Sequence, residues 1–353
     1  MVMNSPTTPV FGLTKADLWP VVEAAAGEPV ADFEIAIEHE VHGPYGFAAE
    51  KVIPTFRYVT REGRTGEVVI FAKHPYRAHT VEPEQYRFLH AHGMAVPKLY
   101  GTLPSPEGRR VLFLEYLPPK PRPANRLEYF LPQVELMARF AAICPSDEYA
   151  AWMQANCECF FDGFDSGEKQ FAPMWAQALR GELGPEFQGV CAEHRDAVPR
   201  LGRHAREAKA AAAALPQGLV HTDFSRENVG RRGTGEFVLM DLESVTLGPR
   251  FYDISYCLAW PGVKWHPEVN VNDLAQHFLD TYARAGGGVV SPEELWEEVH
   301  ALRHAYILTM LNWVYQQARA QPDDSPQDAQ RRQEHRTGLL AWMRLLLAQG
   351  EEG

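Results

Sequence analysis

The sequence predicts an α+β fold with a small β-rich N-terminal lobe and a larger, mostly helical C-terminal lobe. Strand-like alternation is concentrated before residue 117, whereas helical periodicity dominates after residue 120. A proline-rich stretch near 117–123 separates the two patterns and indicates a connection. We therefore divide the chain into lobes 1–117 and 118–353. A chain of 353 residues is long enough to bury a substantial core.

The N-terminal lobe is predicted to be a sheet with one helix. Four stretches rich in apolar and β-branched residues predict its strands, at 33–41, 51–60, 67–74 and 111–119. The helix is expected between residues 80 and 93, because Pro83 suits a first helical turn and Gly93 suits the position just past a helix end.

The C-terminal lobe is predicted to be helical apart from one hairpin. Its helices are expected at 125–143, 146–159, 172–182, 197–214, 270–284, 292–320 and 328–348. Residues 219–244 interrupt this pattern, because two short apolar strands flank a Gly-rich turn at 233–235.

The composition excludes several classes of function. The net charge is −12, whereas general affinity for nucleic acid or an anionic membrane needs clustered Lys and Arg. No stretch reaches the roughly 18 uninterrupted apolar residues of a membrane-spanning helix. Residues 1–9 predict a loose arm and no signal peptide, and the five cysteines lack CxxC spacing. We therefore expect a cytoplasmic monomer or homodimer without nucleic-acid or membrane partners.

The stretch HTDFSREN, residues 221–228, carries the strongest functional pattern. Asp223 and Asn228 precede the hairpin and Asp241 ends its second strand, so the hairpin can bring all three side chains together. Three oxygen-bearing side chains at one point suit Mg²⁺. A polar surface loop is the alternative, because Asp, Ser, Glu and Asn are common turn residues. We interpret His221 as structural and not as a base.

These motifs resemble a known enzyme family. The pattern H-x-D-x-x-x-x-N, followed by an apolar strand, D-x-E and GPRFYDIS, is similar to the aminoglycoside phosphotransferase and choline kinase family. The dense match covers residues 219–260, and a looser match extends back through the β-rich lobe. The resemblance implies a protein-kinase-like two-lobe fold, with nucleotide binding in the N-terminal lobe and the catalytic loop and substrate cleft in the C-terminal lobe.

The resemblance also implies roles for single residues. Asp223 would be the catalytic base, and Asn228 and Asp241 would be ligands of Mg²⁺. Glu243 occupies the family's second acidic position and is a candidate contact to the substrate or to the metal-binding residues. Asp253 matches an acid that braces the backbone of the catalytic loop.

A lysine and a glutamate of the β-rich lobe match the same fold. Lys73 closes a predicted strand, and a compact ammonium held by a carboxylate can grip nucleotide phosphates. Glu84, in the following helix, is predicted to be this carboxylate and part of the nucleotide site. Glu82 competes for the role, but it precedes Pro83 and is assigned to the helix N-terminus, where it favours the helix dipole. A solvated strand end is the alternative for Lys73.

Two further segments are assigned to nucleotide binding. Gly43 and Gly46 would permit close backbone approach to phosphates, although an ordinary hairpin turn explains them equally well. The strand LFLEYLPP resembles the segment that recognises adenine through backbone groups, which indicates Leu114, Tyr116 and the intervening Glu115.

The class of acceptor is predicted from charge. Acids outnumber bases eight to two between residues 147 and 186, where phenylalanines are mixed with Asp162 and Asp165. Carboxylates beside aromatic faces suit a cationic acceptor. The alternative is a solvated loop between helices with a few buried phenylalanines. Trp260 is a further candidate for the pocket, with core packing as its alternative.

The expected function is transfer of the γ-phosphoryl group of ATP or GTP to a hydroxyl of a small molecule, with Mg²⁺. The leading acceptor is an amine-bearing natural product such as an aminoglycoside-like antibiotic, which would make the protein a resistance enzyme. The alternatives are a choline-, ethanolamine- or other metabolite kinase, and a nucleotide-binding regulator without turnover. Lys73, Asp223, Asn228 and Asp241 together argue against the regulator.

Overall fold

The computed structural model describes residues 10–40, 49–75, 80–118, 127–259, 270–319 and 326–348. By packing, the chain forms two compact units. The first combines Met1–Leu136 with Asp223–Ser244, and the second combines Met137–Thr222 with Val245–Gly353. This division differs from the predicted boundary after residue 117, because the hairpin expected in the helical lobe packs with the β-rich unit instead.

Among its described residues up to 118, the first unit contains a five-stranded antiparallel sheet and two helices. Its elements are α1 (Lys15–Ala26), β1 (Val30–Glu40), β2 (Ala49–Thr60), β3 (Thr65–Pro75), α2 (Glu82–Ala91), β4 (Leu99–Pro104) and β5 (Arg110–Glu115). The strands are ordered β1-β2-β3-β5-β4. The four predicted strands and the predicted helix are confirmed, with ends that differ by a few residues.

The sequence does not predict α1 or β4. Pro20 lies inside α1, but Thr14 and Asp17 form a capping box at its start and stabilise it there. Gly101 weakens the strand pattern of β4, yet it lets α1 approach, because a Cβ atom at this position would lie 3.3 Å from Val21. The core between α1 and the sheet includes Leu18, Val22, Phe33, Phe56, Ile70 and Phe113.

Four short strands lie in the region of the predicted hairpin. They are β6 (Gln217–Val220), β7 (Val229–Arg231), β8 (Phe237–Leu239) and β9 (Thr246–Pro249). β7 and β8 pair with each other in the first unit, and β6 pairs with β9 in the second. The hairpin joins the β-rich unit partly through the backbone, since the N–H of Leu239 donates to the carbonyl of Ala95 at 2.8 Å.

The remaining elements are helices. They are α3 (Leu127–Ala141), α4 (Asp147–Asn156), α5 (Asp162–Leu179), α6 (Pro185–Glu193), α7 (Ala197–Ala214), α8 (Tyr252–Ala259), α9 (Val271–Arg284), α10 (Pro292–Ala301), α11 (Ala305–Ala318) and α12 (Pro326–Ala348). The core of the helical unit lies where α5, α7, α11 and α12 pack together. Among the described residues, no helix combines the length and the apolar composition that crossing a bilayer requires.

The solvated loop considered as the alternative between the helices predicted at 146–159 and 172–182 is wrong, because most of this stretch belongs to α5. The sequence suggests a loop because it contains two glycines, but both glycines are contact points between helices. A Cβ atom on Gly167 would lie 2.1 Å from the carbonyl oxygen of Leu308, and one on Gly163 would lie 3.0 Å from Thr309. The helices α5 and α11 therefore approach so closely that only glycine fits there.

The single helix expected at 292–320 is also wrong. The structure has two helices, α10 and α11, and His304 occupies the cap position before α11. The apolar periodicity continues through the break, since Leu302 and Ala305 are buried. Periodicity alone therefore does not reveal that the chain turns between them.

Candidate active site

Lys73 lies at the end of β3 on the face of the sheet opposite α1. Ile70 and Ala72 point into the core beneath α1, and the alternation of a strand turns Lys73 the other way. Lys73 is 2% exposed, which is rare for a lysine and requires charged partners. The solvated strand end considered for Lys73 is therefore wrong.

Three carboxylates surround the Lys73 ammonium. Its Nζ atom lies 2.6 Å from Oδ1 of Asp241, 2.9 Å from Oε2 of Glu82 and 3.0 Å from Oε2 of Glu243. Burial by itself lowers the pKa of Lys73, but Glu82, Asp241 and Glu243 outweigh burial and raise that pKa well above its ordinary value. Burial raises the pKa of Glu82, and the nearby Lys73 opposes this shift. Lys73 thus stays charged inside the protein.

The partner of Lys73 in α2 is Glu82, and the prediction of Glu84 is wrong. Glu82 is fully buried at the start of the helix, whereas the carboxylate of Glu84 pairs with Arg110 at 2.9 Å and with Arg87 at 3.4 Å. Two residues along a helix correspond to more than half a turn, so these two side chains point to different sides. The position before Pro83 does not exclude Glu82, since a first-turn residue can face inward.

A second residue of α2 contacts the same cluster. Tyr86 follows Glu82 by four residues and is therefore on the same helix face. It is 2% exposed and hydrogen-bonds to the backbone of Asp241. Burial and the charge of Glu82 raise the pKa of Tyr86 well above its ordinary value, so its hydroxyl stays protonated. Tyr86 is not among the residues predicted from the sequence, although its spacing from Glu82 is a usable signal.

The hairpin carries Asp223, Asn228 and Asp241 into one region. The N–H of Met240 donates to the carbonyl of Asn228 at 2.8 Å, which sets Asp241 beside Asn228. The Nδ2 atom of Asn228 donates to Oδ2 and to the carbonyl oxygen of Asp223, both at 2.9 Å. Asn228 thus orients the exposed carboxylate of Asp223 with its amide nitrogen.

The backbone just before Asp223 is strained and braced. Thr222 has a φ of 65°, a left-handed conformation that costs roughly 1–2 kcal/mol for a residue with a side chain. The carboxylate of Asp253 accepts the N–H groups of His221 at 2.8 Å and of Thr222 at 3.1 Å. The ring of His221 is buried against Phe140, away from solvent. These contacts agree with structural roles for Asp253 and His221.

The donor set beside Lys73 fits a hard divalent cation. Glu82, Asp241 and Glu243 each offer a carboxylate oxygen, and these atoms lie within 4.8 Å of one another. Asp241 adopts a φ of 58°, another left-handed conformation, which indicates that surrounding contacts hold this residue in place. Oxygen ligands of this kind suit Mg²⁺ better than a softer metal.

Comparison with known proteins identifies the family. A sequence model of the phosphotransferase enzyme family matches residues 57–302, which is more than half of the chain. The chain belongs to this family. A search of curated protein sequences found no match.

Solved structures support the fold. A protein of Ralstonia eutropha JMP134, provisionally described as an aminoglycoside phosphotransferase, is 14% identical with a TM-score of 0.54, over 92% of this chain and 96% of that chain. The ethanolamine kinase of Plasmodium vivax is 12% identical with a TM-score of 0.54, over 87% and 81%. The choline kinase of Cryptosporidium parvum Iowa II is 12% identical with a TM-score of 0.51, over 90% and 91%. The predicted kinase-like α+β fold with two lobes is confirmed.

In the segment assigned to adenine recognition in this phosphotransferase, the side chain of Glu115 forms an ion pair. Leu114 pairs with Phe71 of β3 and with Leu99 of β4, and it is buried. The carboxylate of Glu115 binds Arg232 through two contacts of 2.8 Å. Tyr116 follows the strand and is partly buried. Arg232 is not among the residues predicted from the sequence, because one arginine in a polar turn gives no pattern.

Two groups of predicted residues are not tested by this geometry, namely the glycines assigned to the nucleotide phosphates and the residues assigned to the acceptor. Gly43, Gly46 and Trp260 lie outside the described residues. Asp162 begins α5, and Asp165 pairs with Lys209 at 2.6 Å. The neighbouring aromatic rings, which were considered as faces for a cation, belong to Phe160, Phe161 and Phe164. These rings pack against one another, in or beside the core of the helical unit.

Proposed function

We propose that this phosphotransferase transfers the γ-phosphoryl group of ATP or GTP to a hydroxyl of a small molecule, with Mg²⁺ as cofactor. The observation that carries the proposal is the buried Lys73 among three carboxylates, next to the Asp223–Asn228 pair. A buried cation beside oxygen donors suits a nucleoside triphosphate with its metal ion. The negative phosphates would face the cation, and the positive metal ion would face the oxygen donors.

Each side chain has a role that follows from its contacts. Lys73 binds the α- and β-phosphates, and Glu82 holds Lys73 in position. Asp241 and the amide oxygen of Asn228 would hold the metal, and Glu243 offers a further carboxylate oxygen, whereas Glu82 stays paired with Lys73. When bound, Mg²⁺ neutralises charge on the phosphates. Asp223 orients the acceptor hydroxyl and accepts its proton.

The leading acceptor is an amine-bearing natural product such as an aminoglycoside. Choline- or ethanolamine-type amino alcohols are the second candidate, and two of the structural neighbours are kinases for these compounds. Both classes are cationic, which suits a protein with a net charge of −12. A regulator without turnover is disfavoured, since Lys73, Asp223, Asn228 and Asp241 are all present.

A substrate panel tests the proposal. The purified protein is mixed with Mg²⁺, ATP or GTP, and amino sugars, amino alcohols, neutral sugars or peptide antibiotics, and release of nucleoside diphosphate is recorded. We expect one class to stimulate release above the basal rate, and we expect Asp223→Asn to abolish the stimulation. Absence of nucleotide binding by calorimetry would reject the assignment, whatever the panel contains.

A further inference from the structure

Arg232 binds two carboxylates and one backbone carbonyl, apart from the cluster around Lys73. Its Nε and Nη2 atoms each lie 2.8 Å from one carboxylate oxygen of Glu115, a two-pronged contact. Nη2 also donates to the carbonyl of Val96 at 2.8 Å, and Nη1 donates to Glu236. The side chains of Arg232 and Glu115 are 20% and 19% exposed, so solvent screens this pair only in part.

These contacts join two segments that have different tasks in the proposed reaction. Arg232 lies in the turn between β7 and β8, at one end of the hairpin. Asn228 and Asp241 lie at the opposite end of the same hairpin. Glu115 ends β5, where the backbone is assigned to recognition of the nucleotide base. All of these residues belong to the first compact unit.

A second contact holds the same two segments together. A Cβ atom on Gly230 of β7 would lie only 2.4 Å from Cδ1 of Leu117, which follows the end of β5. The absence of a side chain at Gly230 therefore lets Leu117 rest directly on the hairpin. The apolar contact fixes the separation, and the ion pair fixes the direction, because a guanidinium binds a carboxylate in one plane.

The charges of the pair depend on each other. Burial alone raises the pKa of Glu115, but the hydrogen bond from Arg232, aided by the N–H of Lys98, reverses the shift and lowers this pKa. The bond to Glu115 raises the pKa of Arg232. If either side chain were removed, the charge of the other would have no partner, although it is mostly shielded from water.

We propose that Arg232 and Glu115 are positioning residues of the nucleotide site. They keep the base-binding end of β5 at a fixed distance from the hairpin that carries the metal ligands, so that one nucleotide reaches both. This inference rests on the proposed function. It also changes the role of Glu115, whose carboxylate holds Arg232 and does not contact the nucleotide.

A double-mutant cycle tests the proposal. The variants are Arg232→Met, Glu115→Gln and their combination, with Arg231→Met as the matched control. Arg231 is the neighbouring residue of the hairpin. Within the part of the chain that the structure describes, its side chain contacts the hairpin itself, where it donates to the carbonyl of Gly235 and lies over the ring of Phe237. Affinity for Mg²⁺–ATP and Mg²⁺–GTP is measured by calorimetry, together with the KM values for nucleotide and acceptor and the midpoint of thermal unfolding.

We expect each single variant to weaken Mg²⁺–nucleotide binding about tenfold, while the KM for acceptor stays within about twofold. The double variant should be no worse than the single variants, since both remove the same contact. Arg232→Lys should restore part of the affinity, because it keeps the charge without the two-pronged geometry. Arg231→Met should bind nucleotide like the unsubstituted protein.

Several outcomes would overturn the inference. Unchanged nucleotide affinity with a lower unfolding midpoint would make the pair a fold-stabilising contact only. Additive losses in the double variant would exclude coupling between the two side chains. If Arg232→Met does not fold, Glu115→Gln and Arg232→Lys decide between the same outcomes. If the unsubstituted protein binds no nucleotide, both the proposed function and this inference fail. If it binds nucleotide and the variants bind equally well, only the inference fails.

Discussion

Asp223 is the residue on which the proposed chemistry depends most directly. Its carboxylate is exposed, and Asn228 orients it through the side-chain amide. Asp223→Asn keeps the shape of the side chain and removes its ability to accept a proton. We expect kcat to fall about 10²–10⁴-fold while Mg²⁺–nucleotide affinity changes little. Retention of more than about a tenth of the original kcat would remove Asp223 from the role of base.

Glu82 and Glu84 provide a matched pair of substitutions two residues apart. Glu82→Gln removes the buried charge at 2.9 Å from Lys73, so Lys73 is no longer held from the side of α2. We expect the KM for nucleotide to rise at least about tenfold, since breaking a buried ion pair is costly. Glu84→Gln disturbs pairs with Arg87 and Arg110, whose side chains are 57% and 50% exposed, and it should leave this KM unchanged. Equal effects of both substitutions would contradict the assignment of Glu82.

At the scale of elements, α5 and α11 of the helical unit approach each other closely at Gly167. Gly167→Ala would place a methyl group 2.1 Å from the carbonyl oxygen of Leu308, so one helix must shift. We expect the free energy of unfolding to fall by about 1–3 kcal/mol, as for other overpacked sites. The measurement is denaturant unfolding followed by circular dichroism.

Gly189→Ala is the control for this change. Gly189 lies in α6, and a Cβ atom there meets nothing within 4 Å. The same substitution should therefore stabilise the protein by about 0.5–1 kcal/mol, because alanine favours a helix more than glycine does. If both alanine variants shifted stability in the same direction, the close contact of α5 with α11 would not explain the glycine in α5.

The elements also indicate how far the sequence alone could lead. Strand alternation predicted four of the five strands of the sheet but not β4. The motif spacing predicted that Asp223, Asn228 and Asp241 lie in one region, which the contacts of the hairpin agree with. Gly163 and Gly167 misled, because a glycine that allows close helix packing looks the same as one in a loop. Arg232 could not be found, since its partner Glu115 lies 117 residues away in the chain.

At the scale of the whole molecule, stability should depend on pH through His304. Burial, followed by the nearby His204 and Arg303, lowers the pKa of His304 to about 4. Its Nδ1 atom lies 3.2 Å from Nε2 of His204 on α7, so the pair links α7 to the start of α11. A folded pKa below the unfolded value of about 6.5 means that the unfolded state binds the proton more readily. Neutral His304 therefore makes its full contribution to the stability of the fold above about pH 6.5, and this contribution is lost as the pH falls towards 4.

Denaturant unfolding of the unsubstituted protein and of His304→Gln at pH 7 and pH 4.5 measures this contribution. Other groups titrate in both proteins, so their difference isolates His304. Between pH 7 and pH 4.5, we expect the free energy of unfolding to fall by about 1–2 kcal/mol more in the unsubstituted protein than in the variant. This value is smaller than the lowered pKa alone would give, because His304 is not completely shielded from solvent. Identical pH dependence of the two proteins would show that His304 does not titrate in this range.

The net charge of −12 leads to a prediction about the acceptor. The acidic segment 147–186 contributes less to the field than its composition suggests, because Asp165, Glu168 and Glu182 are each paired with a basic side chain. The field of the whole molecule should still concentrate a cationic acceptor near the protein. This long-range effect weakens as the Debye length falls from ~10 Å at 0.1 M salt to ~3 Å at 1 M.

We therefore expect kcat/KM for a cationic acceptor to fall with added salt, mainly through its KM, while the KM for nucleotide changes less. The matched substitutions are charge reversal at Asp162, at the start of α5, and at Asp147, at the start of α4. A direct contact of Asp162 with the acceptor predicts that only Asp162→Lys raises the acceptor KM beyond the effect of net charge. Equal effects of both reversals would assign the attraction to the field of the molecule. A flat response to salt with an acceptor that is turned over efficiently would reject a cationic acceptor, because a neutral sugar does not respond to this field.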